Sequence, residues 1–176
     1  MTNPSEARNE IRGLIFAYTD ALDSGDLDEV TALFEHATIR VDGINDTAYG
    51  KDQVRAFFAA VTFYHNGNKA EQDHTHSTPA TQHLTSNVHV EIGADGITAT
   101  ARSRFTVFQA CPGLALQAII AGRYRDSFEL HDGRWRFSER VEYIDLVGDL
   151  SHHLNEDFRQ KTTLGENSQS QIRDMS

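Results

Sequence analysis

From Thr81 onward the chain reads as four long β runs cut by three tight turns, and this pattern restricts its fold more than any other. The runs are "TQHLTSNVHVEI", "ITATARSRFTVFQA", "LALQAIIAGRYRDSFEL" and "RWRFSERVEYIDLV", separated by "ADG", "CPG" and "HDG". An Asp-Gly pair flanked by β-branched and aromatic residues is a strong hairpin signal, because the favoured two-residue turns need positions that tolerate positive φ. This half of the chain therefore reads as an antiparallel meander.

Ahead of it the period changes to that of helices. Ile11, Leu14, Ile15, Tyr18 and Leu22 recur at spacings of three and four, which predicts an amphipathic helix over about 5–23, with Pro4 near its first turn and Ser24-Gly25 ending it. Asp26 with Glu29 three places on has the form of a capping box, opening a short helix that carries Leu27, Val30, Leu33 and Phe34. "ATIRVDG" reads as a short strand that "DTAYG" pairs with as a hairpin, and a third helix over about 51–63 buries Val54, Phe57, Phe58 and Val61. Helices first and strands afterwards imply an α+β fold, three N-terminal helices packed on a sheet. Residues 1–155 are expected to form a single domain, and 156–176, without apolar periodicity, a disordered tail. The stretch 64–80, "YHNGNKAEQDHTHSTPA", is polar, aperiodic and too long for a simple connection, as functional loops and lids are.

Charge narrows the partners. The net charge is −10, with 16 Lys and Arg against 26 Asp and Glu, so there is no basic face for nucleic acid; a small molecule or another protein is the expected partner. No run of about 18 apolar residues exists and "MTNPSEARNE" is polar where a signal peptide would be apolar, so a cytoplasmic protein without membrane contact is expected. A lone cysteine, Cys111, forms no internal disulfide. No Gly-rich phosphate loop follows a strand and no GxSxG elbow occurs, so neither a nucleotide cofactor nor an acyl-enzyme is expected. His65, His74, His76, His152 and His153 lack metal-ligand spacing on a rigid element, and no metal is expected.

Among the acids of "YTDALDSGDLDEV", Asp26, Asp28 and Glu29 suit the start of the second helix and Asp20 faces away from the apolar stripe. Asp23 sits in the last turn of the first helix, where the dipole disfavours a carboxylate by roughly 0.3–1 kcal/mol. It is either a turn former or a partly desolvated proton acceptor. Tyr18 lies within the apolar stripe, so its hydroxyl needs a partner, and it stands about 140° round the helix from Asp23, flanking a ligand rather than bonding that residue. On the first long strand His83, Thr85, Asn87, His89 and Glu91 share one parity, and Leu84, Val88, Val90 and Ile92 the other. The polar face meets either solvent or a concave cavity. Arg123, Arg125, Arg134, Arg136 and Arg140 alternate with apolar neighbours, as on a solvated, salt-bridged sheet face.

The order "IRGLIFAYTDALDSGDLDEVTALF", "GKDQVRAFF", "TQHLTSN" and "DGRWRFSERVEYIDL" resembles the SnoaL-like branch of the nuclear transport factor 2 (NTF2)-like superfamily over about residues 8–150. The resemblance implies a cone-shaped α+β fold, a curved antiparallel sheet enclosing an apolar pocket with three helices, and a homodimer or higher homo-oligomer through the sheet. Tyr18, Leu22, Asp23 and His83 resemble the pattern of the bile-acid dehydratase and hexachlorocyclohexane dehydrochlorinase groups. By that resemblance His83 abstracts a proton, Asp23 orients it and Tyr18 donates a hydrogen bond or proton. Phe57, Phe58, Val61, Tyr64, Asn87, Phe105 and Tyr143 are then expected to bind substrate.

The chemistry implied is that of a cofactor-independent lyase or isomerase acting on a hydrophobic ring compound, such as a polyketide, steroid or aromatic metabolite. Val107, Ile144 and His131 stand where those groups carry further acidic or basic side chains, so the Asp–His pair is kept while the substrate-activating groups are not; His131 or Tyr143 is a substitute. The competing readings are a non-catalytic binding protein or structural subunit, as in dioxygenase β subunits, and a limonene-type epoxide hydrolase. The latter would need a second acid beside Arg102 or Arg104.

Overall fold

The computed structural model describes residues 3–44, 47–62 and 79–155. Helix α1 spans Pro4–Ser24. Asn3 caps it by accepting from Ser5 N at 3.0 Å, and Gly25, at φ 75°, closes it in the left-handed conformation that glycine adopts without a Cβ penalty. Helix α2, Leu27–Leu33, opens with Asp26 accepting from Glu29 N at 2.9 Å. Helix α3 spans Gly50–Val61. The strands are β1 (Thr38–Val41), β2 (Thr47–Tyr49), β3 (Thr81–Ile92), β4 (Thr98–Cys111), β5 (Leu114–His131) and β6 (Arg134–Val147).

They form one open sheet in the order β2-β1-β6-β5-β4-β3. The β3–β6 meander is antiparallel as expected, and β1 with β2 is an antiparallel hairpin. Where β1 joins the meander it runs parallel to β6, with Ile39 opposite Arg140, so the sheet is mixed. The reversal between β1 and β2 returns the chain into α3, and β6 arrives only after the whole meander, which frees β1 to pair in either sense. Helix α1 packs on both β3 and β6, across the inner face. Its buried stripe Ala7, Ile11, Ile15, Tyr18 and Ala21 meets Val90, Phe105, Tyr124, Phe128 and Phe137 from the strands.

Bulges decide which side chains face that core. In β3, Ser86 opposes Arg104 while His89 opposes Arg102, so two residues stand against one, and Asn87 takes φ 52°. The parity of the strand reverses there. The inner face carries Thr81, His83 and Thr85 before the bulge and Val88, Val90 and Ile92 after it, while Leu84, Ser86, His89 and Glu91 point out. The single polar face and single apolar face expected from alternation do not exist. A second bulge, where Ser127 opposes Glu139 and Phe128 opposes Phe137, turns Arg140 inward. Arg140 is fully buried, against the solvated position expected for it. Arg123 and Arg136 do lie in surface ion pairs, with Asp145 and Glu129.

One glycine is required by close approach. A Cβ on Gly122 would lie 2.1 Å from the Tyr143 carbonyl oxygen and 2.8 Å from the Phe105 ring. The bare backbone lets Phe105 lie flat over β5 and stack on Tyr124 at 4.3 Å. Gly122→Ala is expected to destabilise by about 1–3 kcal/mol through overpacking, read as a lower urea midpoint.

Candidate active site

Between helices and sheet lies an apolar cavity of about 100 Å³, walled by residues such as Leu22, Phe57, Phe58, Val61, Phe105 and Ile144. Its polar groups are few: Tyr18, Thr62, Thr81, His83, Tyr124, Glu142 and His153. A volume on this scale, beside the ~150 Å³ of an apolar cavity that binds benzene, accommodates a single ring.

The end of α1 and the start of β3 meet here. Asp23 accepts from the backbone N of His83 at 2.6 Å and from Thr81 Oγ1 at 2.8 Å, and its Oδ1 lies 2.6 Å from His83 Nδ1. With the carboxylate as acceptor, Nδ1 carries the proton, and Nε2 takes no hydrogen bond among the described residues. The His83 side chain is only 9% exposed and lines the cavity, whereas Asp23 stands behind it and does not. The carboxylate at the helix C-terminus, unfavourable by its dipole, is thus held by three donors from β3.

Burial alone would raise the Asp23 carboxyl. The hydrogen bond with the His83 ring, the charge of that ring, and the donors His83 N and Thr81 Oγ1 together hold it below its usual value of 3.8. A carboxyl with a depressed folded pKa stabilises the fold above 3.8, and that contribution disappears as pH falls through the lower folded value. Acid unfolding of Asp23→Asn followed by circular dichroism is expected to lack this component, giving a shallower stability loss below pH 4 than the parent chain.

A second polar cluster sits deeper. Tyr18, 1% exposed, donates to Glu142 Oε1 at 2.7 Å, and the other carboxyl oxygen takes no hydrogen bond among the described residues. Burial raises the Glu142 carboxyl above its usual value, outweighing the lowering by the Arg140 charge and the Tyr18 hydrogen bond. Burial likewise pushes the Tyr18 hydroxyl well above its usual value, assisted by the nearby Glu142. Behind them Arg140 forms a two-bond pair with Asp126, at 2.7 and 2.8 Å, both side chains fully buried. Its guanidinium lies 4.2 Å from the Tyr18 and Tyr124 ring centres, a cation on two aromatic faces.

Of the residues expected at the site, Tyr18, His83, Phe57, Phe58, Val61 and Phe105 line the cavity and Asp23 backs it. Asn87 is exposed at the β3 bulge and outside the cavity, because the bulge ends the inward run after Thr85. Tyr143 lies on the other side of β6, beneath the Arg123 guanidinium at 5.1 Å. His131 is exposed in the last hairpin, 3.3 Å from Asp132. Tyr64 and His65, His74 and His76 fall outside the described residues. Among the described residues no group of three or more His, Cys, Asp or Glu is placed to hold a metal ion, and no helix is long and apolar enough to cross a membrane. Glu142 was not foreseen. Its signal is its spacing: it stands two residues before Ile144, where the resembling groups carry a charged side chain, and alternation places both on one face.

Several solved structures share the fold. An NTF2-like protein with a cystatin-like fold from Novosphingobium aromaticivorans is 26% identical, with a TM-score of 0.62 over 80% of this chain and 83% of its own. A hexachlorocyclohexane dehydrochlorinase from Novosphingobium barchaimii is 17% identical, with a TM-score of 0.63 over 84% and 92%. The β subunit of a candidate aromatic-ring-hydroxylating dioxygenase from N. aromaticivorans is 21% identical, with a TM-score of 0.62 over 85% and 97%. A dehydrochlorinase and a candidate dioxygenase β subunit thus share one fold with this chain. No curated protein sequence matches the chain. The model of the SnoaL-like domain matches residues 3–141, and with that match spanning α1 to β6, the chain belongs to the SnoaL-like family.

Proposed function

We propose that this SnoaL-like protein catalyses a cofactor-independent elimination or double-bond shift on a small hydrophobic ring compound, with His83 as the base. The observation that carries this reading is the His83–Asp23 contact at 2.6 Å on the wall of an apolar cavity. Asp23 fixes the tautomer and stabilises the imidazolium that forms; Nε2 removes a proton from a carbon beside an electron-withdrawing group. A dehydrochlorinase with this fold acts by elimination, which supports the reaction class.

A purely structural subunit, the competing reading, has no use for a carboxylate that holds both the ring and the backbone N of one histidine at a cavity wall. The epoxide-hydrolase reading loses support because Arg102 and Arg104 are exposed and point away from the cavity. Solvent-deuterium exchange tests the base directly. Incubating cyclohexanone with the protein in heavy water is expected to label the carbon beside the carbonyl faster than buffer does, and Asp23→Asn is expected to lower that rate about 10²-fold or more. Exchange no faster than in buffer, with the ketone shown to bind by calorimetry, would leave a binding protein instead.

A further inference from the structure

We propose that Glu142 is the proton donor of this site, so that the substrate carries a hydroxyl group which leaves as water. The inference rests on the assignment of His83 as base and extends it to the leaving group. Both residues line the same cavity, from β3 and β6, and both are fastened to α1: His83 through Asp23 and Glu142 through Tyr18. Tyr18 and Asp23 are five residues apart, about 7.5 Å along the helix axis. The His83 ring is also near enough for its charge to act on the Glu142 carboxyl, as a base and an acid serving one H–C–C–O unit must be.

The Tyr18 hydroxyl gives its one proton to Glu142 Oε1 and so has none for the substrate. Glu142 keeps its second oxygen without a hydrogen bond among the described residues, is half-buried and lines the cavity. The groups around it come from every neighbouring element: Tyr18 on α1, His83 on β3, Tyr124 and Asp126 on β5, and Arg140 on β6. The Arg140 charge is already matched by Asp126 and spread over two rings. Enclosure therefore prevails and favours the neutral acid.

In the step, His83 Nε2 takes the proton from carbon and the C–H electrons form the new C=C bond. The C–O bond breaks and its oxygen takes the Glu142 proton, leaving as water. The products are imidazolium and carboxylate, the latter holding the Tyr18 hydrogen bond already in place. A proton passing from His83 to Glu142 through solvent restores the start. A chloride leaves unaided, so an acid at this position has work only for a hydroxyl.

The test uses Glu142→Gln, which keeps the shape and an acceptor for Tyr18, on two single-ring probes: 3-hydroxycyclohexanone and its 3-acetoxy counterpart, whose acetate leaves without protonation. The variant is expected to slow the hydroxy probe by about 10²–10⁴-fold and the acetoxy probe far less, while His83→Ala slows both. Turnover of the hydroxy probe by the parent protein should fall as pH rises through the elevated Glu142 value, a limb absent with the acetoxy probe. Infrared spectra of the ligand-free protein at neutral pH are expected to show a protonated-carboxyl band that Glu142→Gln removes. Absence of that band overturns the proposal whatever the turnover, as does Glu142→Gln slowing both probes equally or neither. Retained turnover in His83→Ala overturns the base assignment instead.

Discussion

His83→Ala is expected to lower turnover by about 10²–10⁴-fold, the usual contribution of a positioned general base, while the circular dichroism spectrum stays that of the parent. The fold should survive because Asp23 retains two of its three donors, the His83 backbone N and Thr81 Oγ1. What disappears is the ring that Asp23 holds at the cavity wall. KM should change little, since the apolar walls that hold a ring are untouched, so the loss should fall on kcat. An unchanged kcat would remove His83 from the chemistry and leave the pocket as a binding site.

Asp126→Ala should have the largest effect on stability, about 3–5 kcal/mol, because it strands the Arg140 guanidinium without its partner in a site with no exposure. Burial pulls the Arg140 pKa down, yet the charge and hydrogen bonds of Asp126 carry it above its ordinary value, so Arg140 cannot escape the loss by giving up its proton. The double replacement Asp126→Leu with Arg140→Met should recover most of that loss, because no charge is left unpaired. Urea denaturation of the two variants decides between this and an additive pair. A double variant as unstable as Asp126→Ala alone would mean that the rings of Tyr18 and Tyr124 depend on the guanidinium between them.

The helices and the meander were legible because each follows from a short-range signal, whereas the pairing of Asp23 with His83, 60 residues apart, was implied only by the family resemblance. Apolar spacing of three and four predicts α1, the Asp-Gly turns predict hairpins, and the position of Asp23 at a helix end, with the family resemblance, points to His83. What alternation misassigned lies beyond a bulge. Asn87 carries the positive φ that interrupts β3, and asparagine tolerates that conformation, but an isolated Asn in a strand does not announce an inserted residue. Arg140 was placed in solvent for the same reason, since the offset at Ser138 is a matter of pairing between strands and not of composition. Glu142 stands beside Tyr143 and two residues before Ile144, on a strand where charged residues alternate with apolar ones. A charged residue in a strand reads as exposed unless something inward is known to receive it, and its receiver, Tyr18, is 124 positions away.

Helix α1 carries both Tyr18 and Asp23, and through them it holds one side chain on each of two strands that do not touch one another. The two proton-handling groups therefore have a common mounting. Small changes in sheet curvature alter neither tether, but a slide or tilt of α1 loosens both together. Activity should then behave as a single switch under gentle destabilisation, vanishing as one event when α1 lifts, before the strands themselves melt.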